Sequence, residues 1–365
     1  MRNKLLKSTM LVGALSIPLS AQSLDINVGG FANFQAAFSS NDSLFETGSF
    51  SRDLKFSNNT EIHVNVSGES DKGLKYGTTI ELEADVSADA HGEGLNADKT
   101  FIWLETSAGR VELGNNEGAE STMGINAGSI ARATGGVDGD NEFYQNISGV
   151  GSPAFVIHPS LPTADTGGIK EDATKLTYYS PNLSGAQLGV SFTPDEGNGG
   201  TAAGFTSDTN GDFENVFGLG LTYGTKSGDL DIGLSLAGEF GDAENAGTED
   251  LSAWTVGASL GYQGFSVAGS YADWNDSGKA TGSNQDASNW SLGAAYENGN
   301  YGVSLTYLES ENANDDFTNY VFSADYTIAP GLTSYAEVSF FEADENGAVV
   351  DNDGSVVIVG TSLAF

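Results

Sequence analysis

From residue 24 onward, apolar and polar positions change places with a period of two, in runs of 8 to 14 residues. Leu24, Ile26, Val28, Ala32 and Phe34 share one face of the first run, with Asp25, Asn27 and Asn33 on the other. The stretch 53–67 repeats this, placing Phe56, Ile62, Val64 and Val66 opposite Lys55, Asn59, Glu61, His63 and Asn65. This is the pattern of strands with one face in hydrocarbon and one in water. Sixteen such segments are expected, starting near residues 24, 53, 73, 98, 109, 174, 185, 214, 228, 251, 264, 288, 300, 317, 331 and 354, which predicts an all-β, 16-stranded antiparallel transmembrane barrel. A soluble sandwich needs apolar residues inside two facing sheets, whereas here the second face is almost everywhere Ser, Thr, Asn, Gly, Asp or Glu. No repeat of fixed length supports a solenoid.

Connections between the runs alternate in length. Short ones, such as 107–109, 181–185, 225–228, 297–300 and 329–331, hold the Gly, Asn or Pro of tight hairpins. Long ones fall near 39–52, 87–97, 116–173, 195–213, 241–250, 275–287, 310–316 and 344–353, so both chain ends are expected on the short-turn, periplasmic side. Aromatic pairs test the reading independently: Trp254 with Tyr262, Phe265 with Tyr271, Trp290 with Tyr296, Tyr301 with Tyr307, and Tyr320 with Tyr326 share faces near opposite strand ends. Such rings belong at the two membrane–water interfaces.

Composition narrows the picture. Residues 1–21 open with Arg2, Lys4 and Lys7, continue through an apolar run from Met10 to Ile17 and close on Pro18 to Ala21, the order of a cleaved secretory signal. No segment offers the roughly 20 apolar residues of a helical span, so insertion must be by barrel. Residues 22–365 are expected to form one domain. Without the leader, 11 basic residues face 50 acidic ones, a balance of −39 that argues against nucleic-acid partners. Cysteine is absent, which removes disulfide and thiolate chemistry.

The connection at about 116–173 is far longer than the rest, and structureless loops of that size are rare unless functional. Folded inward, it is a constriction loop; a solvated external flap is the alternative. Its Glu117, Glu120, Asp138, Asp140, Glu142, Asp165, Glu171 and Asp172 bring negative charge to the narrowing. Inward-phase Lys55, Lys75, Arg110 and Lys175, with Arg52 and Arg132 in loops, are expected to face that loop and set up a transverse field, or else to pair with neighbouring wall acids. Acids outnumber bases on the inner face, where Asp25, Glu61, Glu81, Glu83, Asp85, Glu105, Glu112, Asp231, Glu239, Asp325 and Glu337 take the inward phase. Cation preference follows.

Other motifs carry less. Gly257-Ala-Ser-Leu-Gly261 matches a nucleophile elbow but lies inside an alternating strand, so no catalytic residue is expected and the chain is not read as an enzyme. His63, His91 and His158 lack zinc-motif spacing. Asp208, Asn210, Asp212 and Glu214, and the segment Asp351-Asn-Asp-Gly354, offer oxygen ligands suited to a loop calcium ion, with a solvated acidic loop as the alternative; no other cofactor is expected.

The stretch Gly109-Arg-Val-Glu-Leu-Gly-Asn-Asn-Glu-Gly-Ala119 resembles the strand leading into the constriction loop of general, non-specific Gram-negative porins. Residues 175–194, Lys-Leu-Thr-Tyr-Tyr-Ser-Pro-Asn-Leu-Ser-Gly-Ala-Gln-Leu-Gly-Val-Ser-Phe-Thr-Pro, resemble the following hairpin in porins of α-proteobacterial type, and the terminal Phe365 is similar to the signal read by the barrel-assembly machinery. The resemblance implies a homotrimer in the outer membrane among lipid and lipopolysaccharide, an inward-folded third loop, and passive diffusion of small hydrophilic solutes. It makes Arg110 and Glu112 wall residues and Glu117 and Glu120 the start of the loop. The mature chain departs from the family in having only Arg52, Arg110 and Arg132 for a basic cluster. A substrate-specific channel and a structural surface barrel are the alternatives, separable by solute flux.

Overall fold

In the computed structural model, which describes residues 24–41, 52–84, 96–147, 156–165, 171–197, 211–283, 285–313, 315–344 and 351–365, sixteen strands close into one antiparallel barrel. They are β1 (Asp25–Ser40), β2 (Leu54–Glu69), β3 (Lys75–Glu83), β4 (Asn96–Thr106), β5 (Gly109–Asn115), β6 (Thr174–Tyr179), β7 (Ala186–Asp195), β8 (Phe213–Ser227), β9 (Leu230–Ala243), β10 (Leu251–Tyr262), β11 (Phe265–Asn275), β12 (Ala287–Asn298), β13 (Tyr301–Asn312), β14 (Asp315–Ala329), β15 (Leu332–Asp344) and β16 (Asn352–Ala364). The leader expected at 1–21 lies outside the described residues, as do Asp85, His91, Asp208 and Asn210.

Each strand pairs with its sequence neighbours, and β1 also pairs with β16, from Phe31 opposite Ala364 to Ser40 opposite Ser355. The seam ends where Phe365 and Gly30 exchange backbone hydrogen bonds of 3.0 and 3.1 Å. Closure leaves no strand edge, the condition under which a sheet can cross hydrocarbon. No helix among the described residues is long and apolar enough to cross a membrane.

The alternation maps directly onto the two faces. Leu234, Leu236, Val256, Leu292, Leu305 and Phe322 stand exposed on the outside, while the residues between them turn inward. Aromatic rings form two belts on the outer face. In one, Trp254 meets Tyr271 at 5.6 Å, Trp290 meets Tyr307 at 4.9 Å and Tyr307 meets Tyr320 at 4.4 Å. In the other, Phe265 meets Tyr296 at 4.4 Å and Tyr301 meets Tyr326 at 4.8 Å. The belts lie near the long-loop and short-turn ends of the strands respectively, flanking an aliphatic band.

The tight turns follow their residues. Between Tyr262 and Phe265 the two turn residues, Gln263 and Gly264, take φ values of 47° and 87°, the double left-handed geometry whose twist matches the strands it joins. One expectation is corrected: the connection near 310–316 is not long. Asn312 pairs with Asp315, because Glu309 to Asn312 and Asp315 to Thr318, polar enough to read as loop, continue β13 and β14 as a paired ladder.

The inner face is less uniformly polar than its composition suggests. Leu308, Phe317, Val321, Phe341, Val356 and Ile358 turn inward from β13 to β16 and are buried in one apolar cluster with Val137, Tyr144 and Ile147 of the 116–173 connection. This segment of the lumen is filled by a core of the ordinary packed kind, which seats the long loop.

Candidate functional site

The described parts of the connection at 116–173, residues 116–147, 156–165 and 171–173, fold into the barrel. They carry short helices α1 (Ala119–Thr122) and α2 (Pro162–Asp165) and tight turns at Gly128–Ile130, Gly136–Asp138 and Asp140–Tyr144. The loop's backbone N–H groups step around the wall on inward hydroxyls: Ile125 donates to Ser235 Oγ at 3.0 Å, Ala127 to Ser291 Oγ at 3.0 Å, Arg132 to Ser304 Oγ at 2.9 Å and Val137 to Thr306 Oγ1 at 3.1 Å. Further on, Gln145 donates to Ser339 Oγ at 3.1 Å, and the Tyr144 hydroxyl accepts from Gln35 at 3.0 Å and bonds Ser57 at 2.8 Å. The return segment is held by Trp274 Nε1 and Asn289 Nδ2, both donating to the Ser160 carbonyl, at 3.0 and 3.2 Å. Thus an otherwise unpaired loop backbone finds partners on the wall.

Glycines let the loop lie this close. A Cβ built on Gly220 would stand 2.6 Å from the Ala119 carbonyl, and one on Gly257 would fall on the Ile125 carbonyl. Gly302 likewise leaves room for the Arg132 guanidinium. These are inward positions of β8, β10 and β13, where any larger side chain would push the loop toward the axis.

The expected site residues divide into several groups. Lys175 is buried; its Nζ donates to the Asn116 carbonyl at 2.5 Å and to the Glu171 carbonyl, so it draws the two ends of the loop together rather than facing the lumen. Glu120 is also turned to the wall, buried where Ser191 Oγ donates to its carboxylate, and burial raises its pKa. Lys75 does not oppose the loop but bonds Glu105 at 3.1 Å near the short-turn rim. Arg110 bonds Glu112 at 2.6 Å and lies 4.6 Å from the Trp103 ring, and Asn116 donates to the other Glu112 oxygen at 2.6 Å. Lys55 sits over the Tyr144 ring at 5.5 Å. Of the two readings of the expected wall cations, pairing with neighbouring acids is what Lys75 and Arg110 do. The placement of cation on the wall and acid on the loop is reversed at Arg132, a loop residue that makes two bonds of 2.6 and 2.8 Å to Asp325 on β14 and one of 3.0 Å to Glu297. That forked geometry is the strong form of a charge-assisted pair.

Within the loop, Glu142 and Asp165 flank His158, the latter at 3.3 Å. Burial alone would lower the imidazole, but hydrogen bonds and charge from Asp165 and Glu142 hold it up at about 11. Asp138 faces a cavity of about 560 Å³ that Glu117, Glu171 and His158 also line. Asp140, half-buried, is raised by desolvation. Of the calcium candidates, Asp212 and Glu214 lie at the start of β8, while the Asn352 Nδ2 donates to the Asn146 carbonyl at 2.8 Å. The Gly257–Gly261 segment is unbroken strand within β10, without the turn a nucleophile needs.

One constellation was not anticipated as a unit. Lys99, on β4 and not singled out from the sequence, reaches Glu117 of the loop at 2.6 Å, Glu81 of β3 at 3.7 Å and its neighbour Asp98 at 4.0 Å. Glu171 and Asp172 at the loop's end interact electrostatically with Lys99, and Glu61 and His63 on β2 with its neighbour Asp98. Three carboxyl groups thus lie within 4.0 Å of one ammonium, with Glu171 and Asp172 also acting on it, where the loop and the β3–β4 wall approach each other. Desolvation raises Asp172, against the pull of Lys99, to about 7. The sequence signal was present in part: a lysine at inward phase, on the strand that pairs with β3 where β3 carries Glu81.

Comparison with known proteins follows the same line. A family model described as Gram-negative porin matches residues 8–346. A Rickettsia bellii protein of uncharacterised function is 26% identical over 337 residues, 73% of this chain and 76% of the relative, and a Rickettsia conorii protein, also uncharacterised, is 27% identical over 338 residues, 74% and 76% respectively. Among solved structures, the anion-selective porin from Comamonas acidovorans aligns with a TM-score of 0.64 at 17% identity, covering 94% of this chain and all of that one. A mutant of Rh. blastica porin aligns at 0.59 and 19% identity, covering 93% and 100%. These structural likenesses carry the fold.

Proposed function

Given that the chain belongs to the Gram-negative porin family and is an outer-membrane β-barrel, we propose that it is a water-filled channel for passive diffusion of small hydrophilic solutes, preferring cations. The observation that supports this is the narrowing between loop and wall, where Glu81, Asp98 and Glu117 lie within 4.0 Å of Lys99 and Glu171 and Asp172 also act on it, an excess of acids over the one cation. An excess of acidic groups at a narrowing raises the local concentration of permeant cations and repels anions. The selectivity in the name of the Comamonas porin belongs to that protein; at 17% identity its pore residues are not transferable.

A homotrimer is part of the proposal. Strands β8 and β10 to β14 each carry an aromatic residue near both ends of the outer face, as in the pairs Phe217 with Tyr223 and Trp254 with Tyr262. On β1 to β7 the described outer faces carry aromatics at one end at most, and aliphatic residues such as Ile102, Leu104 and Leu113 predominate. The interfacial belt thus favours one arc for lipid and leaves the other for neighbouring copies. Lipopolysaccharide around the external rim and recognition of Phe365 by assembly machinery complete the reading.

The test is single-channel recording of the detergent-purified protein in a planar bilayer under a salt gradient. Ohmic steps closing in threes, with a reversal potential on the cation side, are expected. Anion-side reversal refutes the preference; silent membranes favour a structural barrel, and small steps blocked by one solute favour a specific channel.

A further inference from the structure

The pore wall holds a cluster whose chemistry goes beyond a diffuse negative field. In the β2–β3 ladder His63 is directly opposite Glu81, and Glu61 lies two residues before His63 on the same inward face. Strand pairing, not a loop, sets these three positions. One ligand atom from each lies within 4.8 Å of the others. The imidazole is further oriented by the Phe31 ring, edge-on at 6.4 Å and 89°, from the neighbouring strand β1.

We infer that Glu61, His63 and Glu81 form a binding site for a divalent transition-metal cation of the zinc, copper or nickel class, open to the lumen on its fourth side. An imidazole with two carboxylates suits these ions, whereas magnesium and calcium take oxygen alone. Ligands about 2.0 to 2.2 Å from a tetrahedral ion sit about 3.3 to 3.6 Å apart, so side-chain rotation from the present spacing suffices. The ordinary alternative is that Glu61 merely bonds His63, at 2.8 Å. That bond engages one carboxylate, and the second, placed across the ladder from the ring, is what an ion would use. Lys99 is the competitor, 3.7 Å from Glu81, but its shorter contact is with Glu117 at 2.6 Å, which leaves it a partner when a metal takes Glu81.

The consequence for permeation rests on the channel reading: an ion bound here would cancel two of the narrowing's negative charges and occupy part of its cross-section. Binding itself does not depend on that reading. The test uses the untagged, detergent-purified full chain, with folding of each variant checked by far-UV circular dichroism. Calorimetric titration with zinc chloride is expected to show one site per chain, absent with magnesium. His63→Gln should weaken zinc binding by about tenfold or more, and Lys99→Met should strengthen it. Copper should give an electron paramagnetic resonance spectrum with nitrogen coupling that His63→Gln removes. No zinc binding by the native protein, or binding unchanged in a folded His63→Gln variant, overturns the site. In bilayers zinc should lower the potassium current of the native protein and not of His63→Gln. Binding lost in His63→Gln, with no current from any form, leaves the site standing and refutes the channel.

Discussion

Replacing Lys99 with Met tests whether ions pass the acidic narrowing. Met matches the length of the lysine stem, so the change is nearly one of charge alone. A monovalent cation passing about 6 Å from Nζ through water meets roughly 0.7 kcal/mol of repulsion, and an anion an equal attraction. Removing the ammonium would shift the ratio of cation to anion permeability by about 1.4 kcal/mol without screening, or about tenfold. At 0.1 M salt the Debye length of about 10 Å cuts this to three- or fourfold, and at 1 M, where it is about 3 Å, the shift falls to about 1.4-fold. Reversal potentials under a potassium chloride gradient at both strengths are the assay. A ratio unchanged at 0.1 M, or moved toward anions, places the ion path elsewhere. An equal shift at both strengths refutes the field argument another way, since a change of pore shape does not screen.

Other outcomes follow from the loop. Asp172 is neutral below about pH 7 and charged above it, so cation preference should rise between pH 5 and 9 and the rise should flatten in Asp172→Asn; because its pKa is raised in the folded state, ionising it costs stability as pH increases. For His158 the sign is opposite, since its bonds to Glu142 and Asp165 favour the charged ring: their contribution is full below the ordinary histidine value and lost as pH rises through about 11. His158→Ala should speed amide exchange in residues 156–165 about tenfold or more at neutral pH, measured by mass spectrometry, with no change on the strands away from the loop. Gly257→Val forces the Ile125 carbonyl off the wall and should alter single-channel conductance and increase current noise, while Gly224→Val, with nothing within 4 Å of its Cβ, should leave both alone.

The barrel was legible because lipid on one side and water on the other impose a strict period of two. Every strand begins within two residues of its expected start. The misread connection at 310–316 shows where that signal ends: beyond the hydrocarbon both faces of a strand meet water, Glu309 and Asp316 no longer need to alternate with anything apolar, and only the ladder from Asn312 to Asp315 reveals the strand. Similarly, Phe317 and Val321 point inward where the period alone assigns polar residues, because a loop rather than water covers them.

Side-chain roles in the narrowing were less legible, and the reason is geometric. Phase says that Lys175 and Lys99 both turn inward, but not what each meets there; one ties the loop's ends and the other opposes its acids, a difference set by where residues 116–173 lie. That course is written in the sequence by different marks. Serines and threonines at inward positions 235, 291, 304 and 306 accept loop N–H groups, and glycines at inward positions 220, 257 and 302 leave the space. A lumen in contact with water has no reason to delete its side chains in a row across β8 to β13, whereas a wall that must admit a backbone does. Small inward residues clustered on one arc therefore mark the seat of the loop, whereas on the opposite arc Glu61, His63, Glu81, Trp103, Arg110 and Glu112 keep their full length.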